Sequence, residues 1–167
     1  YCTYIKPDAL FHHDDWGSSI STFFPPELFA EFFEGPYKQI YGYYKDHGVE
    51  LIVHHSDSYA ATLVPVMINM GIDIWQGPIL SNNIPELIKE YGGKISFMGG
   101  VNSWDVDKPD WSYSNSLEKV ESVLRQCGKH YFIACNTMGG PGDAFEGVYD
   151  ATNRAIDECS KRFFNEL

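Results

Sequence analysis

Apolar positions in this chain come in short blocks that stop abruptly in polar or glycine-rich stretches. The run Leu51-Ile52-Val53 ends in His54, His55, Ser56 and Asp57, and the same rhythm recurs further on. Short, continuously apolar runs read as strands buried on both faces, the mark of a parallel sheet covered by helices. The first unit predicts a strand over 8–12 and a polar loop, His13-Asp14-Asp15-Trp16-Gly17. A helix then opens at Pro25-Pro26-Glu27, because proline is tolerated in a first turn. Leu28, Phe29, Phe32 and Phe33 give it an apolar face at helical spacing. Gly35-Pro36 is expected to interrupt it, and a second segment follows over 37–47 with Gly48 as its cap.

Four more units follow. The second is a strand over 50–54 and a helix over 59–70 stopped by Gly71, where Pro65 predicts a kink or a late start. The third pairs a strand over 72–76 with a helix over 85–91. The fourth has a strand over 95–99, a long polar loop and a helix over 116–127. There Asn115 and Glu118 have capping-box spacing, and Leu117, Val120, Leu124 and Cys127 form the buried stripe. The fifth has a strand over 131–135, a glycine-rich loop and a helix over 144–164. Five βα units of this kind fit either an open doubly wound sheet or an arc of a (β/α)8 barrel. A whole barrel takes about 250 residues, and this chain has 167, read as a single domain over 1–167.

Composition narrows the function. Hydrophobic residues make up 44% and aromatics 16%, enough for a packed core. Acidic residues number 23 against 12 basic ones, a net charge of −11 that repels phosphate backbones and argues against nucleic-acid binding. No apolar run approaches the roughly 20 residues that span a bilayer, and no signal peptide is visible. The four cysteines, Cys2, Cys127, Cys135 and Cys159, show no pairing motif, which points to a reduced, cytoplasmic protein.

Candidate chemistry sits where the strands end. His55 and Asp57 follow the second strand, Gln76 the third, Asn102 the fourth, and Cys135 and Asn136 the fifth. In a parallel α/β fold these ends share one rim, where amides such as Gln76, Asn102 and Asn136 can orient a substrate. Asp14 and Asp15 form an acidic pair suited either to proton transfer or to capping the following loop. Trp16 reads as a wall of the pocket or core. Of His12 and His13 at most one points inward, since neighbours on a strand face opposite ways. The Gly139-Gly140-Pro141-Gly142 run lacks a dinucleotide fingerprint, and Asp143 beside it argues against a phosphate. Tyr37, Tyr41, Tyr43 and Tyr44 read as packing surface rather than a cofactor box.

The ordered motifs carry a resemblance. Asp14-Asp15-Trp16-Gly17, Pro26-Glu27-Leu28-Phe29 and Pro36-Tyr37-Lys38-Gln39-Ile40 resemble the central segment of the uroporphyrinogen decarboxylase superfamily. His55-Ser56-Asp57 falls where that family has a His-Ser-Cys-Gly turn, and Met70-Gly71-Ile72-Asp73-Ile74 resembles its Gly-Val-Asp strand entry. Tyr91-Gly92-Gly93-Lys94, Gly99-Gly100-Val101-Asn102 and Tyr131-Phe132-Ile133-Ala134 follow in the family's order.

The resemblance implies a (β/α)8 barrel of which this chain is the C-terminal five units, the first three being absent. Open sheet edges would then favour self-association into a homo-oligomer. One branch of the family moves a methyl group between a corrinoid-carrying partner protein and a thiol or folate acceptor. Many of its thiol-directed members hold zinc, which stabilises the acceptor thiolate. Carried over, the metal ligands are His55, Asp57 and Cys135, with aspartate replacing the family's first cysteine. Asp14, Asp15 and His55 are then the catalytic candidates, and Trp16, Gln76, Asn102 and Asn136 line a small-molecule pocket. A second reading is uroporphyrinogen decarboxylation, whose last-strand histidine this chain replaces with Asn136-Thr137-Met138. A third is a non-catalytic barrel fragment, inactive on its own.

Overall fold

The computed structural model describes residues 2–165. Its strands are β1 (Ala9–His13), β2 (Leu51–His55), β3 (Ile74–Gln76), β4 (Ser96–Val101) and β5 (Phe132–Asn136). Every pairing is parallel, and the spatial order equals the chain order, β1-β2-β3-β4-β5. A doubly wound sheet reverses its order at a switch point. Here each crossover advances the same way, which makes the sheet an arc of a (β/α)8-type barrel.

The strands run one or two residues later than the apolar pattern suggests. Val49, Ile72 and Ile95 are buried, yet they lie in the turns below the strands. Apolar character reports burial, whereas strand limits follow backbone pairing, and pairing carries on through polar His13, His55 and Asn136.

The first helical run is α1 (Pro26–Phe29), a π turn (Ala30–Glu34) and α2 (Gly35–Asp46). Gly35-Pro36 therefore does not break it. Proline has no N–H for an ordinary helical bond and its ring crowds the carbonyl four residues back; widening the turn relieves both. Phe29 and Phe33 stack at 5.0 Å and face inward, while Leu28 and Phe32 are exposed, so the apolar face is half as wide as expected. Gly48, at φ +95°, closes α2 as foreseen: its N–H reaches the Lys45 carbonyl, and Val49 N–H reaches that of Tyr44.

The remaining helices are α3 (Val64–Met70), α4 (Ile84–Tyr91), α5 (Ser103–Val106), α6 (Tyr113–Cys127) and α7 (Val148–Asn165). α3 starts late, with Pro65 in its first turn. α6 begins earlier than expected because Ser112, not Asn115, is its cap; the Ser112 hydroxyl accepts the Asn115 N–H at 3.2 Å. α7 begins later, since Ala144 is extended. None of these helices is long and apolar enough to cross a membrane among the described residues.

The helices pack on one face of the sheet only. Tyr41, Ile52, Leu63, Met67, Trp75, Phe97 and Leu124 are sealed in that layer, each burial stabilising by roughly 1.5–3 kcal/mol. The opposite, concave face stays open: Phe11 is 59% exposed, Leu51 45% and Ile133 44%.

Candidate active site at the C-terminal rim

Parallel pairing brings the strand ends together and sets His12 beside His54, and His13 beside His55 and Gln76. Successive residues face opposite sides of a sheet. The same two strand ends thus place one histidine pair among the helices and the other on the concave face.

The inner pair is joined through the Tyr41 hydroxyl, and both nitrogens of His54 have partners. His12 Nδ1 lies 2.8 Å from the Tyr41 hydroxyl, which lies 2.8 Å from His54 Nδ1; His54 Nε2 is 3.0 Å from the Asp14 carbonyl. A carbonyl only accepts, so His54 Nε2 donates. Burial pulls His54 down to about 4, leaving the ring neutral at pH 7 with Nδ1 as acceptor. Tyr41 therefore donates to His54 and accepts from His12. Burial pushes the Tyr41 and Tyr37 hydroxyls up, so both stay protonated. Tyr37 donates to the Asp14 carboxylate. Trp16 stacks on His54 with ring centroids 3.9 Å apart. Asp14 and Trp16 are thus held on the helix side, with Trp16 buried in the core.

The outer pair is loosely held. The His13 and His55 rings meet edge to face at 4.1 Å, and His13 Nε2 is 3.7 Å from Asp15 Oδ2. His55 Nδ1 is bonded to Gln76 Oε1, and the other Asp15 oxygen accepts the Asp57 N–H at 3.2 Å. Among the described residues, His13, Asp15 and His55 are the group whose ligand atoms all lie within 4.8 Å of one another. Asp57 and Cys135, the partners that the resemblance assigns to His55, stand outside it. Gln76 Nε2 reaches Cys135 Sγ at 3.9 Å, and the thiol donates to the Asn136 carbonyl at 3.3 Å. Burial pushes the Cys135 thiol up, away from the reactive thiolate.

Gly77 turns the chain at φ +96° under this corner. A Cβ there would stand 3.3 Å from the His55 ring and 3.2 Å from the Ser56 carbonyl, so any side chain at this left-handed turn would be strained and would crowd the corner.

Asn102 is buried at one wall of a mainly apolar cleft of about 280 Å³, opened between the loops after β1, β3, β4 and β5 by Ile20, Ile79, Leu80 and Trp104. Asn136 instead braces the last loop: it donates to Asn153 at 2.6 Å and accepts the Met138 N–H at 3.0 Å. Sequence reading missed His54 and the Tyr41 hydroxyl as a polar relay. It also missed Asn82, whose side chain caps the chain at Ala60 and Ala61 and donates to the Ser58 carbonyl. No local signal marks Asn82, because its partners lie some twenty residues away. His13 was signalled by strand alternation, which allowed one of the adjacent histidines inward.

No protein-family model matches the chain, and none of the curated proteins compared with it does. Solved structures do share the fold. A methyltransferase from Methanosarcina mazei superposes with a TM-score of 0.65 at 14% identity, covering 90% of this chain and 42% of that one. The chain therefore spans less than half the length of that neighbour, and at this identity the likeness is one of fold.

Proposed function

We propose that this chain carries the reaction rim of a methyltransferase that passes a methyl group from a corrinoid on a partner protein to a thiol or folate acceptor. One observation carries the reading: two histidines and a carboxylate converge at the C-terminal rim of a fold shared with a methyltransferase. Barrel enzymes place their chemistry at this rim. Methyl transfer needs an acceptor stripped of its proton and held in line with the donor. An imidazole of the His13–His55 pair can take that proton, with the Asp15 carboxylate 3.7 Å from His13 Nε2. Ile20, Leu80 and Trp104 line a separate, mainly apolar cleft among the loops of the same rim, which offers a bed for the apolar part of a substrate.

The zinc trio implied by the resemblance does not fit. Asp57 and Cys135 are not gathered with His55, and the Cys135 sulfur is held by Gln76 and the Asn136 carbonyl. Self-association through the free edges of β1 and β5 belongs to the same reading.

Incubation with methylcobalamin and a simple alkyl thiol, read as loss of the methyl-cobalt absorbance, tests it. The expected result is a rate above that of the thiol alone which His55→Ala reduces by about tenfold or more. A rate equal to the thiol alone would leave a barrel arc without this activity.

A further inference from the structure

We propose that His13, Asp15 and His55 form a binding site for a divalent transition cation, best matched by zinc. The proposal rests on their own geometry and holds whether or not the rim transfers methyl groups; a nitrogen that ligates the cation is not the one that takes an acceptor's proton. The ligand atoms of these residues lie within 4.8 Å of one another. The His13 Nε2 to Asp15 Oδ2 separation is 3.7 Å, close to the roughly 3.4 Å edge of a tetrahedron built on Zn–N and Zn–O bonds near 2.0–2.2 Å.

The surrounding bonds engage one atom of His55 and one of Asp15 and leave the other of each available as a ligand. Gln76 Oε1 can only accept, so the His55 Nδ1 bonded to it carries the proton and Nε2 keeps its lone pair. The Asp57 N–H holds one Asp15 oxygen at 3.2 Å and leaves Oδ2 free toward His13. A ligating histidine whose second nitrogen is fixed by a neighbouring acceptor, and a carboxylate fixed by a backbone donor, are the usual outer supports of a metal centre. Gln76 donates its other end to Cys135, which fixes the amide's orientation. Two imidazoles and one carboxylate favour zinc or iron(II) over magnesium and calcium, which prefer all-oxygen shells. Three protein ligands leave one tetrahedral position open to the solvent side, where Asp15 and His13 are exposed.

Calorimetric titration with zinc alone, in metal-free buffer, tests the assignment, with zinc counted by emission spectroscopy after gel filtration. One zinc per chain is expected, weakened by about tenfold or more in His13→Ala and in the near-isosteric Asp15→Asn. Gln76→Leu should weaken it by about tenfold through the tautomer it fixes. Asp57→Ala and Cys135→Ser should bind as the parent does, and far-UV circular dichroism would verify that each variant is folded. Zinc bound equally well without His13 and Asp15, lost with Cys135 or Asp57, or not bound at all would overturn the site.

Discussion

His12 and His54 on one side of the strand ends, and His13 and His55 on the other, are the same residue type one position apart. On the helix side every nitrogen the relay uses has a named partner and the ring of His54 is sealed from water. On the concave side the contacts are long or made at a single nitrogen, and the side chain of His13 is 63% exposed. Burial turns the first pair into structure, because a buried polar group must have its partners to be tolerated. The second pair keeps unused lone pairs, which is what binding or proton transfer requires. The inner pair fixes the β1 loop through Asp14 and Trp16, and Asp15 is thereby presented to the outer pair.

Truncation should separate the two sides most sharply. His54→Ala removes a buried stacked ring, takes away the acceptor of the Tyr41 O–H and the donor to the Asp14 carbonyl, and should cost about 3–4 kcal/mol. His55→Ala removes a ring from an open face and should cost under about 1 kcal/mol. Urea midpoints of the two variants give the comparison, and similar losses would mean that the concave face is covered in solution.

Acid should expose the same contrast next. His54 titrates near 6.5 when unfolded and near 4 when folded, with burial as the leading cause. Between those values the unfolded chain binds more protons, so this contribution is complete above pH 6.5 and is lost as pH falls toward 4, about 3 kcal/mol in all. Carboxylates also respond to acid, so the decisive quantity is the difference between the parent and His54→Gln. Parallel urea midpoints for the two across pH 7 to 4 would show that His54 is not buried neutral.

Much of this was legible from the sequence. The βα rhythm, the rim location of His55 and Gln76, the cap at Gly48 and the late start at Pro65 all follow from local pattern. The apolar runs alone did not carry strand order, since they look alike in a doubly wound sheet and a barrel arc; the family resemblance chose the arc, and the pairing of β1 through β5 in sequence bears it out. His54 was read as the polar end of a strand because hydropathy carries no record of a tyrosine hydroxyl arriving from a helix. Likewise, the grouping of His55 with His13 and Asp15 depends on register between β1 and β2, which spacing along the chain does not encode.

The smallest effect tests the comparison at single hydrogen bonds. Tyr41→Phe keeps the buried ring and deletes one hydroxyl, leaving His54 Nδ1 and His12 Nδ1 without their partner. His54 cannot turn to compensate, because its Nε2 is tied to the Asp14 carbonyl. An unsatisfied buried acceptor costs about 1–2 kcal/mol. Gln76→Leu is the matching deletion on the concave side, where His55 is only partly covered and water can replace the amide oxygen. Its cost should stay within about 0.5 kcal/mol. Urea midpoints for the two variants should therefore differ in the direction of Tyr41, while zinc affinity moves only with Gln76. If Gln76→Leu proved the more destabilising, the outer pair would be part of the core and not a site.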